Sequence, residues 1–190
     1  MKKLSFYEKE KKLNSKLVKS ILLWIFQIGV VIALAWVVVF YWGQKTSMIG
    51  QSMEPALENG QKVWINKMSY MLSSPDRFDV IVFKPNGNKN VHDSIKRVIG
   101  LPGETIQIKD GKIYIDNKEL KEKGKTGSIE EAGVVTEAYT LGDDEYFVLG
   151  DNRSSSEDSR YADIGMVQRE DIEGKAWLRN GEGLSFGRIK

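Results

Sequence analysis

Residues 105–116 read Thr-Ile-Gln-Ile-Lys-Asp-Gly-Lys-Ile-Tyr-Ile-Asp, "TIQIKDGKIYID". Apolar and polar side chains alternate on both sides of Asp110-Gly111, the period of a strand with one buried face. Asp-Gly accepts the positive φ angles of a two-residue turn whose twist matches paired strands, so the stretch predicts an antiparallel hairpin. Its neighbours carry the same period. "QKVWINK" (61–67) alternates, and "DVIVFKP" (79–85) is a nearly continuous apolar strand stopped by Pro85 and "NGNKN". "IKRVIG" (95–100) and "EYFVLG" (145–150) read as further strands, and "GKAWLR" (174–179) is expected to close the sheet. "KELKEKGKTGSIEEAG" (118–133) is charged and glycine-containing, and reads as a surface excursion. From Lys45 to the C-terminus, residues 45–190, the chain is therefore predicted to be mostly β. No repeat, heptad pattern or Gly-rich phosphate loop interrupts this reading.

The N-terminal part is different. Residues 1–20 hold seven lysines against Glu8 and Glu10, a net charge of +5, and Ser20–Gln44 carries no charge. Ile21–Trp42, "ILLWIFQIGVVIALAWVVVFYW", has only Gln27 as a strongly polar residue. A helix of this length, at about 1.5 Å per residue, crosses a hydrocarbon core of about 30 Å. Trp24, Tyr41 and Trp42 lie near its ends, where amphipathic rings suit the interface. The apolar region of a cleavable secretory signal is shorter, and "ALA" at 33–35 falls in the middle of the run, so the segment reads as a retained signal-anchor. The lysine-rich side should stay cytoplasmic, placing residues 45–190 outside.

The remaining 146 residues hold 21 basic and 24 acidic side chains, and this weakly acidic balance argues against nucleic acid as a partner. With no cysteine among 190 residues, disulfides, thiolate metal sites and cysteine nucleophiles are excluded. No metal-ligand spacing is visible, and no cofactor is called for.

Three stretches could carry chemistry. Ser52 stands in "GQSMEP" (50–55), close behind the apolar run. A serine hydroxyl needs a base to act as a nucleophile. The only histidine, His92, could form a triad with Ser52 and Asp79 or Asp93, but it follows a turn cluster and reads as a solvated loop-edge residue. A lysine is the other candidate base, and burial in apolar surroundings lowers its pKa by disfavouring the charged form. In "SIKRVIG" (94–100), alternation sends Ser94, Lys96 and Val98 to one face and Ile95, Arg97 and Ile99 to the other. Either face, if core, carries a cation inward; the bland alternative is an edge strand with both charges in water. Alternation does not choose between Lys96 and Arg97, but an arginine does not deprotonate. The third stretch, "GDNRSSSEDSR" (150–160), concentrates polar groups that must pair with one another or with water.

An apolar anchor followed in order by "GQSMEPAL" (50–57), "RFDVIVF" (77–83), "KRVIGLPGE" (96–104) and "GDNRSSSEDSR" (150–160) resembles the bacterial type I signal peptidases. The single anchor resembles the Gram-positive form. The resemblance implies a β-sheet catalytic domain on one transmembrane helix, Ser52 as nucleophile and Lys96 as general base. It implies Ser156 as the residue orienting the lysine, Asp158 and Arg160 as a supporting ion pair, and Met53 as a residue shaping the site. Substrates would be signal peptides of exported precursors with small residues at the first and third positions before the cut. Membrane lipid and the secretion translocon would be further partners. Ala56 and Glu104 stand where the family usually has Thr and often has Asp. Gly50 stands where some members supply an oxyanion-hole hydroxyl, which leaves backbone N–H groups, chiefly that of Ser52. The alternatives are an assembly factor for surface fibres and a Ser/Lys protease with one dedicated exported substrate.

Overall fold

The structure is a computed structural model that describes residues 15–42, 44–122, 124, 126–181 and 186–189. Most of the basic tail expected over 1–20 therefore lies outside the described residues. The chain divides into two compact units, one up to Val39 and one from Phe40 onward.

Helix α1 (Ser15–Trp42) makes up the described part of the first unit, runs three residues into the second, and contains the apolar stretch Ile21–Trp42. Its side chains, including Trp24, Phe26 and Trp36, are exposed around the full circumference. A helix that is apolar all round and uncovered by protein suits lipid, because its backbone polar groups are satisfied within the helix.

The second unit is built from two antiparallel sheets. The strands are β1 (Lys45–Ser47), β2 (Lys62–Asn66), β3 (Val80–Phe83), β4 (Ser94–Gly100), β5 (Thr105–Lys109) and β6 (Lys112–Ile115). They continue as β7 (Lys118–Glu119), β8 (Tyr139–Thr140), β9 (Glu145–Leu149), β10 (Val167–Gln168), β11 (Ile172–Asn180) and β12 (Phe186–Arg188). The larger sheet runs β1-β2-β11-β3-β4-β9-β10 with β12 added beside β11, and the smaller runs β7-β6-β5-β8. The expected hairpin is β5–β6, with Asp110 and Gly111 at φ angles of 50° and 73°. The twist of paired strands demands that left-handed turn.

Two expectations change. "GKAWLR" does not close the sheet: it belongs to β11, which lies inside it between β2 and β3. Alternation in a strand reports which face is buried and carries no information on how many neighbours the strand has. The 118–133 segment is also more than a surface excursion. Ile129 is buried, Gly127 N–H donates to Asp151 O at 3.0 Å, and Val134 N–H, just beyond, donates to Arg160 O at 2.9 Å. At Gly133, where φ is +60°, a Cβ would fall 2.0 Å from Arg160 O. The segment thus comes back onto the 150–160 loop.

Ile99, Phe147 and Leu149 of the larger sheet pack with Ile106, Ile108, Ile113 and Ile115 of the smaller one. Burying each such side chain contributes about 1.5–3 kcal/mol, so this cluster joins the sheets firmly. A second cluster, Met53, Leu57, Val63, Ile65, Val80, Val82 and Ile95, forms under the turn that carries Ser52.

Candidate active site

Ser52 lies in the connection between β1 and β2. Gly50, at φ +81°, reverses the chain, and its N–H donates to Asn59 Oδ1 at 2.9 Å. Leu57 N–H closes onto Met53 O at 2.8 Å, and the Met53 side chain is fully buried, so the turn is pinned from below. From β11, Arg179 Nη1 donates to Ala56 O at 2.8 Å. The Ser52 side chain is held upward while its neighbours hold the backbone.

Lys96 comes from β4, an interior strand paired with β3 and β9. Ile81 is its partner on β3 and shares its face, so the lysine stem runs over apolar surface. The residue is 6% exposed, and its Nζ lies 2.9 Å from Ser52 Oγ. Burial pushes the Lys96 ammonium below the ordinary lysine range, against the opposing pull of Asp158 and then Glu157. The edge-strand alternative is thereby replaced: both cations of β4 are buried, one to each face. Arg97 takes the other face, where Nε and Nη2 grip Asp151 at 2.7 and 2.6 Å and Nη1 donates to Phe78 O at 2.9 Å.

The 150–160 loop forms the facing wall. Asp158, fully buried, accepts from Arg160 Nε at 2.8 Å and Nη2 at 3.0 Å, and from Gly150 N–H at 3.1 Å. Arg160 also donates to Arg153 O at 2.6 Å, so the ion pair ties both ends of the loop. Asn152 N–H donates to Ser52 O at 3.0 Å, joining the loop to the serine turn. Ser156 is buried on this wall, and among the described residues its Oγ has no hydrogen-bond partner. Among the described residues nothing accepts the Ser52 backbone N–H.

The structure brings Ser52, Lys96 and Ser156 to one open cavity of about 670 Å³, with Asp158 and Arg160 behind its wall. It does not assemble the histidine triad. Ser52 Oγ is engaged by Lys96, Asp79 is held by Tyr70 and Lys175, and Asp93 by Lys84; His92 is an exposed residue on the cavity rim. Asp151, Asn59 and Arg179 were missed as contributors. The excess of charge in 150–160 hinted at the first, while nothing local in sequence marks the other two.

The family described as "Signal peptidase, peptidase S26" matches residues 21–180. The chain is 40% identical over 137 residues to "Probable signal peptidase I-2" of Synechocystis sp., across 67% of this chain and 58% of that protein, so it spans less than two thirds of that relative's length. It is 31% identical over 172 residues to "Signal peptidase I" of Bacillus licheniformis, across 87% and 90% of the two chains. Similarity to a solved signal peptidase I from Enterococcus faecalis V583 has 35% identity and a TM-score of 0.42, over 54% of this chain and 97% of that one. The chain belongs to the S26 signal peptidase family. With the apolar helix α1, that membership makes it a membrane-anchored protein.

Proposed function

We propose that this chain is a serine endopeptidase that removes signal peptides from exported precursors, with Ser52 as nucleophile and Lys96 as general base. The observation that carries the assignment is the 2.9 Å contact between Ser52 Oγ and the amine of a lysine that is 6% exposed. An ammonium cannot accept a proton, and burial supplies the fraction of neutral amine that can. Neutral Lys96 takes the hydroxyl proton as Ser52 Oγ attacks the scissile carbonyl. The collapsing intermediate releases the amine, which receives that proton, and leaves an acyl ester on Ser52. Lys96 then deprotonates a water that hydrolyses the ester. The unengaged N–H of Ser52 suits the developing oxyanion. Ser156 lines the same cavity as Lys96 and is the residue to which the family resemblance gives the orienting role, its Oγ making no hydrogen bond to Nζ. The Asp158–Arg160 pair holds the Ser156 backbone, and Met53 sets the floor of the turn.

Residues 1–20 form the cytoplasmic tail, 21–42 the membrane anchor and 45–190 the extracytoplasmic protease. The excess of lysine before the apolar run supports this orientation. Substrate leader peptides, lipid around α1 and the secretion translocon are the partners of this arrangement. Cleavage of a defined precursor by the full chain in detergent or vesicles, beside Ser52→Ala, tests the reading. The wild type should release the mature product and the variant should not; equal product from both would overturn it.

A further inference from the structure

The titratable acidic and basic side chains lining the cavity over the dyad are His92, Asp93, Lys96, Glu157 and Asp163. Their states differ. Asp93 is satisfied by Lys84 at 2.7 Å, and Lys96 is engaged with Ser52. Glu157 and Asp163 are exposed to the cleft, and among the described residues no side-chain hydrogen bond or ion pair engages either carboxylate. They line the same cavity as Ser156, whose buried Oγ also lacks a partner among the described residues. Elsewhere on the 150–160 loop the polar groups consume one another: Asp151 with Arg97, Arg153 with Glu122, and Asp158 with Arg160. The unspent acceptors are those facing the cavity. They are placed for something that arrives there.

We propose that Glu157 and Asp163 select substrates: a lysine or arginine within about three residues of the scissile bond is favoured, and a carboxylate there is disfavoured. This rests on the peptidase reading above. Two like charges lining one concave site focus a negative field into it. An extended peptide advances about 3.3 Å per residue, so three residues to either side of Ser52 stay within a Debye length of about 8–10 Å. Met48, Ile49, Gly50 and Gln51, which also line it, carry no charge to cancel that field.

The test uses the full chain and a series of leader-derived peptides with Ala at the first and third positions before the cut. Lys, Gln or Glu is placed in turn at each of the other positions from three before to three after it. The readout is the ratio of kcat/KM for the Lys and Glu peptides. A ratio is required because Glu157 also acts on Lys96, so absolute rates move with the protonation of the base for every substrate alike. At low salt the ratio should reach about tenfold at the most sensitive position, as expected for two partly solvated pairs. It should fall to about twofold or less in Glu157→Gln/Asp163→Asn, and in the wild type at high salt. Ratios near one at every position, with the Gln peptides cleaved, would overturn the selection and leave the peptidase reading standing. A strong preference that survives in the double variant would overturn the assignment to these two carboxylates. If no peptide is cleaved, both readings fall together.

Discussion

Replacing Gly150 with alanine tests how the site is held together. Gly150 joins β9 to the loop that forms the far wall. A Cβ there would lie 2.2 Å from Ser156 Oγ, 2.6 Å from Ser156 Cβ and 2.4 Å from Ser52 O. Ordinary contacts begin near 3.4 Å, so the atoms must separate by about 1 Å. The Ser156 hydroxyl has no partner among the described residues and can rotate away, but Ser156 Cβ stays at 2.6 Å, and Ser52 O is backbone that accepts the Asn152 N–H at 3.0 Å. Relief there means moving the loop away from the nucleophile turn. Overpacking of this kind costs about 1–3 kcal/mol, and in a domain of this size each kcal/mol lowers Tm by about 2–4 °C. A misplacement of about 1 Å at a reacting group can cost about 100-fold in rate. Gly150→Ala should therefore lower kcat/KM on a leader peptide about 100-fold while lowering Tm by roughly 2–12 °C. Gly142→Ala is the control, because its Cβ meets nothing closer than the Glu145 carboxylate at 3.4 Å. The assay is peptide cleavage with thermal unfolding followed in parallel. Activity within about threefold of wild type in Gly150→Ala would refute the argument that this close approach sets the dyad.

Lys96→Ala and Lys96→Arg should both abolish cleavage, since a guanidinium keeps the charge but accepts no proton, whereas His92→Ala should remain within about threefold of wild type. Because burial lowers the folded pKa of Lys96, activity should rise with pH along a limb below the ordinary lysine range. Stability follows the same sign: the folded state binds fewer protons than the unfolded chain, so unfolding free energy should increase as pH rises through that window, and the increase should vanish in Lys96→Met, as read by denaturant midpoints. Ser156→Ala should slow turnover with Tm almost unchanged, because its Oγ gives up no hydrogen bond. Arg160→Ala should instead destabilise by about 3–5 kcal/mol by leaving a fully buried Asp158 uncompensated. Unchanged unfolding of that variant would contradict the burial argument. A chain beginning at Lys45 should cut a soluble leader peptide at the full-length rate but lose efficiency on a precursor embedded in vesicles. Equal efficiency on both substrates would deny the anchor a role in encounter.

Local pattern was enough for the elements themselves. The uncharged run from Ser20 to Gln44 is long and apolar enough to specify α1, and alternation about Asp110-Gly111 specifies the β5–β6 hairpin with its left-handed turn. Both depend on interactions between residues near in sequence, so both are written in it directly. Alternation in β4 also separated Lys96 from Arg97 correctly by face. Whether those faces were wet or dry was another matter. Burial of the two cations follows from β3 and β9 flanking β4, and strand neighbours are chosen by the whole chain. The same holds for β11, whose period is that of an edge or an interior strand alike. Partners across long loops were equally hidden: Arg97 finds Asp151, 54 residues on, and Arg179 finds Ala56 O across 123 residues. The loop that carries Glu157 is braced by Gly127 and Val134, which bond back onto Asp151 O and Arg160 O. A charged composition alone reads there as solvent exposure. Sequence determined which residues were able to do chemistry; only the tertiary fold decided which were dry, which were paired and which still face the cleft, because desolvation depends on contacts distant in the chain.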